Sequence, residues 1–224
     1  MQEVRVCFSK FSTAKYISHL DLMRTVTRAM TRAQIPLWYT EGFNPHPFLT
    51  FALPLPLGIE SECESFDIRI VGDISNEQIK NRLNRTLPEG LEVTGVLSDF
   101  LKSNDISFAE YFTVFEFENE ENAVEYSNNI SLILGSDELI TCKKAKKKGK
   151  KIDVEVNLKD YIDSYEISLN SDTVELSCVL CAGNVRNLNP TVLFERLNRD
   201  LTVRPSLTRI KKIRMLTADK KVFY

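Results

Sequence analysis

His19 and His46, the two histidines of the chain, are its only side chains whose ordinary pKa suits proton transfer near neutrality. Acting as a pair, they would supply acid–base cleavage of RNA or of a nucleotide, provided the fold brings them together. Arg24, Arg28 and Arg32 follow at i, i+4 and i+8, so they line one helix face, with Lys15 just upstream. Guanidinium forks match phosphate oxygens and keep their charge, which makes this ridge a candidate phosphate contact; an ordinary solvated face is the alternative. Trp38, Tyr39, Phe43 and Phe48 come next, rings of the kind on which single-strand binders stack bases, although they would also suit a core. Among them lies "GFNPHP", Gly42 to Pro47, where prolines flank His46 and Gly42 permits a tight turn. So stiff a loop either crosses between strands or presents Asn44 and His46 to a ligand.

A second cationic group is "KKAKKKGKK", in which Lys143, Lys144, Lys146, Lys147 and Lys148 would hold a phosphate backbone with salt-sensitive strength. The C-terminal "RPSLTRIKKIRMLTADKK" adds seven further cations against one acid. Other chemistries have thinner support. Two histidines without clustered carboxylates make a poor metal site. Glu60, Glu62 and Glu64 alternate along an extended stretch and read as a solvated edge before a weak divalent site. Cys178 and Cys181 form C-x-x-C, yet "TVELSCVLCA" alternates like a strand and turns the two thiols to opposite faces, as suits small core residues. The chain has no P-loop, no G-x-G-x-x-G and no G-x-S-x-G, and no cofactor is expected.

The elements that must position these residues follow from periodicity. "EVRVCFSK" is strand-like. Ser18 to Gln34 is helical, with Ser18 and Asp21 as a capping box, Leu20, Met23, Val26, Met30 and Ala33 as the apolar stripe, and Pro36 as its end. "LWYTEG" reads as a strand, "FLTFALPL" as extended, "SFDIRIVG" as a strand, "SNEQIKNRLNRTL" as a helix capped by Ser75, and "LEVTGVLS" as a strand. The same order recurs from "EYFTVFEFE" through the helices "ENAVEYSNNISLIL" and "NPTVLFERLNRDL" to the closing strand "SLTRIKKIRML", with the lysine run at a hairpin tip. The expected fold is therefore α+β, two tandem ferredoxin-like (βαββαβ) halves, each a mostly antiparallel sheet with helices on one face. The expected domains are 1–103, with the basic helix and the GFNPHP loop, and 104–224, with the lysine-rich hairpin.

The 224 residues carry a formal net charge of -2, which gives no whole-chain reason to expect a polyanion partner. The signs are nevertheless segregated: residues 1–57 hold six Lys/Arg against three Asp/Glu, and residues 58–140 hold five against eighteen. No apolar run approaches the roughly 18 residues of a membrane span, and "MQEVRVCFSK" enters a strand pattern directly, so a cytoplasmic protein with no membrane partner is expected. Five scattered cysteines suit a reducing compartment.

"FSK…YISHLDLMR", "RAQIPLWYTEGFNPHPFLTFALPLPLGIESECE", "KKGKKIDVEVNLKDYI" and "GNVRNLNPTVLFERL" together resemble the radical-SAM-linked proteins, a bacterial domain family fused to, or encoded beside, radical-SAM proteins. The resemblance implies a radical-SAM partner, and family genes beside an E/G-type ribonuclease hint at RNA. The C-x-x-x-C-x-x-C of a cluster-binding radical-SAM enzyme is absent, so the chain is expected to be the accessory unit. The expected function is a non-catalytic RNA-binding or substrate-presenting module. An RNA- or nucleotide-processing enzyme using His19 and His46, or a protein-interaction scaffold built on "FLTFALPLPLG", are the alternatives. By fold alone the tandem reading is similar to CRISPR repeat-processing endonucleases, whose glycine-rich loop has no counterpart here.

Overall fold

The computed structural model describes residues 1–147 and 150–224, and side chains outside 143–153. The chain adopts a mixed α+β fold with a mostly antiparallel sheet and, among the described residues, four α-helices. It divides into two compact units: Met1–Ile106 with Lys211–Tyr224, and Ser107–Ile210.

In the first unit the order is β1 (Gln2–Lys10), α1 (His19–Arg32), β2 (Leu49–Phe51), β3 (Glu60–Ile70), α2 (Asn76–Asn84) and β4 (Leu91–Leu97). β1 lies between antiparallel β3 and β4, and β2 adds to β3, pairing Val4 with Ile68, Val6 with Phe66 and Phe51 with Phe66. Val4, Val6, Phe8, Phe66, Ile68 and Ile70 alternate onto one sheet face, where Leu22, Val26 and Met30 of α1 and Ile79 and Leu83 of α2 cover them. Each such burial contributes roughly 1.5–3 kcal/mol relative to exposure, so this face fixes where α1 begins and which side it presents.

The α1 stripe differs from the periodic expectation. Leu22, Val26, Ala29, Met30 and Ala33 are buried, whereas Leu20 is exposed and Met23 only half-buried. The spacing was legible; its phase was decided by the contact with the sheet. Asp21 N–H donates to Ser18 Oγ at 3.1 Å, but the second half of the expected capping box is replaced by Ser18 Oγ–H donating to Asp21 Oδ2 at 2.7 Å. Ser75 and Gln78 make the full reciprocal box at α2. "LWYTEG" forms no regular strand; Leu37 and Tyr39 make only isolated bridges, to Ile70 and Pro47.

In the second unit, β5 (Ile106–Glu116), α3 (Glu120–Gly135), β6 (Ile140–Lys147), β7 (Lys150–Asn157), β8 (Ile162–Asn170), β9 (Thr173–Cys181) and α4 (Pro190–Asn198) follow in order. β9 pairs antiparallel with both β5 and β8, while β6 and β7 form their own two-stranded hairpin. Phe115, Tyr126 and Phe194 join the strands to α3 and α4 through ring contacts of 5.2 and 5.8 Å. β10 (Leu207–Thr217) starts beside β5, where Ser206 N–H donates to the Glu116 carbonyl at 2.8 Å. From Lys211 it belongs to the first unit, running parallel to the Glu60–Ser61 start of β3.

Candidate functional site

Backbone bonds build the GFNPHP segment into a hairpin tip. Phe48 N–H donates to the Trp38 carbonyl at 3.2 Å and Thr40 N–H to the His46 carbonyl at 2.9 Å, so residues 38–40 and 46–48 run side by side. Gly42 turns the chain at φ 127°, a conformation that side-chain-bearing residues rarely adopt. His46 is held from within: its N–H donates to Thr40 Oγ1 at 3.2 Å, and its Nδ1 lies 3.1 Å from both Thr40 Oγ1 and the Asn44 carbonyl. Nδ1 donates to the Asn44 carbonyl or accepts from the Thr40 hydroxyl, according to which ring nitrogen carries the proton. Tyr39, Phe43, Asn44 and His46 are exposed, and Phe43 is wholly so. Trp38 and Phe48 are instead half-buried, with the Arg69 guanidinium 4.1 Å from the Phe48 ring centre and 5.6 Å from Trp38, and Arg69 bonded to Glu3 at 3.0 Å.

His19 is anchored elsewhere, its ring edge-on to Phe51 at 5.1 Å, beside the Phe8–Phe51–Phe66 cluster. An extended run from His46 to Phe51 covers about 16 Å at about 3.3 Å per residue. The two histidines thus have separate partners, and no bond or ring contact joins them.

The cationic ridge on α1 is partly spent. Arg24 pairs with Asp21 at 3.2 Å on the exposed surface, and that partner with the stronger Ser18 bond holds the Asp21 carboxyl below its ordinary range. Arg32 donates to the Thr86 carbonyl at 2.7 Å, behind α2. Lys15 pairs with Glu60 at 3.2 Å. Arg28 is exposed, and no side-chain partner for it appears among the described residues. The side chains of Lys143, Lys144, Lys146 and Lys147 in β6, and all of Lys148, lie outside the described residues.

The glutamates of β3 have a use that spacing alone did not indicate. Glu60 pairs with Lys15, Glu62 with Lys211 at 3.1 Å, and Glu64 with Lys212 at 2.5 Å. Among the described residues no group of side chains forms a metal cluster. Glu64 and Lys212 are fully buried; Ser61 Oγ–H donates to Glu64 at 2.6 Å, and buried Lys10 donates to the Ile17 carbonyl at 3.3 Å, just before the α1 cap. Burial lowers the Lys10 pKa, opposed by Glu64 and assisted by Lys212. A neighbouring buried pair joins Arg5 to Asp67 by two bonds of 2.7 and 2.9 Å. Arg5, Lys10, Asp67 and Lys212 were not singled out by spacing, and Glu64 was expected on a solvated edge, because charged residues are assigned to solvent by type, whereas all five are buried. The available signal was opposite charge at facing positions of two strands, as at Arg5 and Asp67. Cys178 and Cys181 are both buried, and burial pushes the Cys178 thiol up to about 12, as suits inert core residues.

A family profile described as "Uncharacterized protein conserved in bacteria (DUF2344)" matches residues 3–190. No curated protein matches the chain. Similar solved structures include a chain of a Cbf5-Nop10-Gar1 complex, 8% identical, with 95% of this chain and 48% of that chain covered and a TM-score of 0.48. An unknown protein from Galdieria sulphuraria is 10% identical over 94% of this chain and 98% of that chain, with a TM-score of 0.26. A heavy metal efflux pump is 11% identical over 94% of this chain and 28% of that chain, with a TM-score of 0.24. The chain spans about half the length of the first of these.

Proposed function

From the premise that the chain belongs to the bacterial family of uncharacterised proteins DUF2344, we propose that it is a non-catalytic RNA-binding or substrate-presenting module that works with a radical-SAM protein. The observation that carries this reading is the hairpin, which holds Phe43 wholly exposed on a backbone stiffened by Pro45 and Pro47, with Tyr39, Asn44 and His46 also exposed. Exposed rings on a preorganised loop suit stacking by unpaired bases, and Asn44 and His46 offer edges for hydrogen bonds. Arg28, and Arg24 through exchange of its weak surface pair with Asp21, supply phosphate contacts. The radical-SAM partner rests on the resemblance of the SHLD and GFNPHP segments. In the same reading the units are tandem ferredoxin-like halves. The orders β4-β1-β3-β2 and, with the β6–β7 hairpin set aside, β10-β5-β9-β8 support it.

A titration of single-stranded and structured RNA against salt tests the reading. Phe43→Ala is expected to weaken single-strand binding by about 1–3 kcal/mol, and Arg28→Ala to reduce the salt slope by about 1. Binding that ignores both substitutions, or that ignores salt, removes the RNA proposal. One observation favours the scaffold reading instead: Tyr16, Leu20 and Leu57 are all exposed near the Gly58 N–H bond to the Lys15 carbonyl. Loss of radical-SAM co-purification in Leu20→Glu with RNA affinity unchanged would favour it.

A further inference from the structure

The strand order ends on β4 in the first unit and on β8 in the second. An end strand presents a row of backbone N–H and C=O groups that can template another strand, and folded proteins ordinarily blunt it. Side chains of α2 blunt β4. Asn84 accepts from the Val93 N–H at 2.7 Å and donates to the Val93 carbonyl at 3.0 Å, and Lys80 donates to the Thr94 carbonyl at 3.1 Å. β8 has no such cover. Among the described residues no side chain, and no strand other than β9, bonds to the backbone of residues 164–169. The strand also carries neither proline nor lysine, and its one irregularity is confined to the start, between Ile162 and Ser164.

The side chains of β8 divide by face. Tyr165, Ile167 and Leu169 stand opposite Cys178, Leu176 and Val174 of β9, all three buried. Val174 in turn stands opposite Phe115, on which Tyr126 of α3 packs, so this is the face that the helix covers. The cover stops short of the last strand: Tyr165 is 39% exposed, Leu169 is 41% exposed and Ile167 is half-buried. Ser164, Glu166, Ser168 and Asn170 alternate onto the other face and are all exposed. The strand that fits this edge is apolar on one face and polar on the other, and β8 is itself such a strand. Placing a two-fold axis at Ile167 of an antiparallel pair sets Ile167 against Ile167, Tyr165 against Leu169, Glu166 against Ser168 and Ser164 against Asn170. No like charges meet, and the two apolar stripes become one. The neighbouring registers are worse. An axis at Glu166 sets two carboxylates face to face, an axis at Tyr165 sets Asp163 against Ile167, and an axis at Ser168 leaves Tyr165 outside the pairing. An axis between two residues joins the apolar face of one copy to the polar face of the other.

We propose that β8 is a self-association edge, at which two copies of this chain pair their β8 strands antiparallel about a two-fold axis at Ile167. This surface uses none of the GFNPHP residues and stands or falls separately from the RNA reading. Sedimentation equilibrium of the full chain tests it. One shared strand is a small interface, so the association is weak, and the mean mass should rise from 25.7 kDa toward twice that value between micromolar and millimolar concentration. Leu169→Lys sets a charge against Tyr165 twice in each dimer and should weaken association roughly tenfold or more. Cross-linking in a Cys142→Ser background, which removes an exposed thiol, reads the register. Residues directly opposite in an antiparallel pair have Cα atoms about 4.5–5.5 Å apart, within reach of a disulfide. Ile167→Cys should therefore give a covalent dimer under a mild oxidant, and Glu166→Cys far less of it. A mass that stays at 25.7 kDa throughout overturns the proposal. So does a dimer that a folded Leu169→Lys leaves unchanged, or one that Glu166→Cys cross-links as readily as Ile167→Cys. If Leu169→Lys does not fold, the comparison of the two cysteine variants decides alone.

Discussion

Glu64 is the residue on which the buried charge of the first unit turns. It accepts from Ser61, pairs with Lys212 and opposes the depression of the Lys10 pKa. Removing one member of a buried ion pair leaves the other charge without compensation, whereas replacing both members is far milder. Glu64→Gln is therefore expected to destabilise the protein by about 3–5 kcal/mol, and Glu64→Gln with Lys212→Met to recover most of that loss. Urea unfolding of the two variants checks this; equal loss in both would show that the pair is not what Glu64 supports. Residue types announced the surface arginines and the prolines of the loop. They did not announce this cluster, because a charged residue in a strand is assigned to solvent until a further segment is known to cover it.

At the scale of elements, helices were more legible than their neighbours. α1, α2, α3 and α4 arise where period, Ser or Asn caps and Pro190 place them, because capping and periodicity are local properties of the chain. The strands around the loop were less so: β2 is only three residues, and "LWYTEG" makes isolated bridges. Their pairing is set by β3, a segment distant in sequence. The turn into β4 shows how closely two elements meet. Gly90 has φ 84°, its carbonyl accepts from Phe11 N–H at 2.8 Å, and a Cβ there would stand 2.6 Å from the Phe11 carbonyl oxygen and 2.9 Å from Ala14 Cβ. Both objections are to backbone or a rigid methyl, so Gly90→Ala should lose more than about 1 kcal/mol in thermal unfolding. A gain in stability would show that the turn readily moves away from Phe11.

At the scale of the molecule, the first unit is completed by residues 211–224, which supply Lys212 to Glu64 and Phe223 to Arg5. The single tryptophan, Trp38, lies in that unit and reports on it alone. Ending the chain after residue 210 should therefore abolish the cooperative urea transition in Trp38 fluorescence. A wild-type-like transition would show that the first unit does not need the segment. The amino-acid sequence by itself determined the α+β alternation, the helix caps, the stiff GFNPHP turn and the segregation of charge, since each depends on neighbours within a few residues. Tertiary structure alone decided the phase of the α1 stripe, the partners of Glu60, Glu62 and Glu64, the separate anchoring of His19 and His46, and the apolar stripe left exposed on β8. Those depend on which distant segments cover each sheet face, and burial, which turns an ordinary strand charge into a committed one, exists only after that covering has formed.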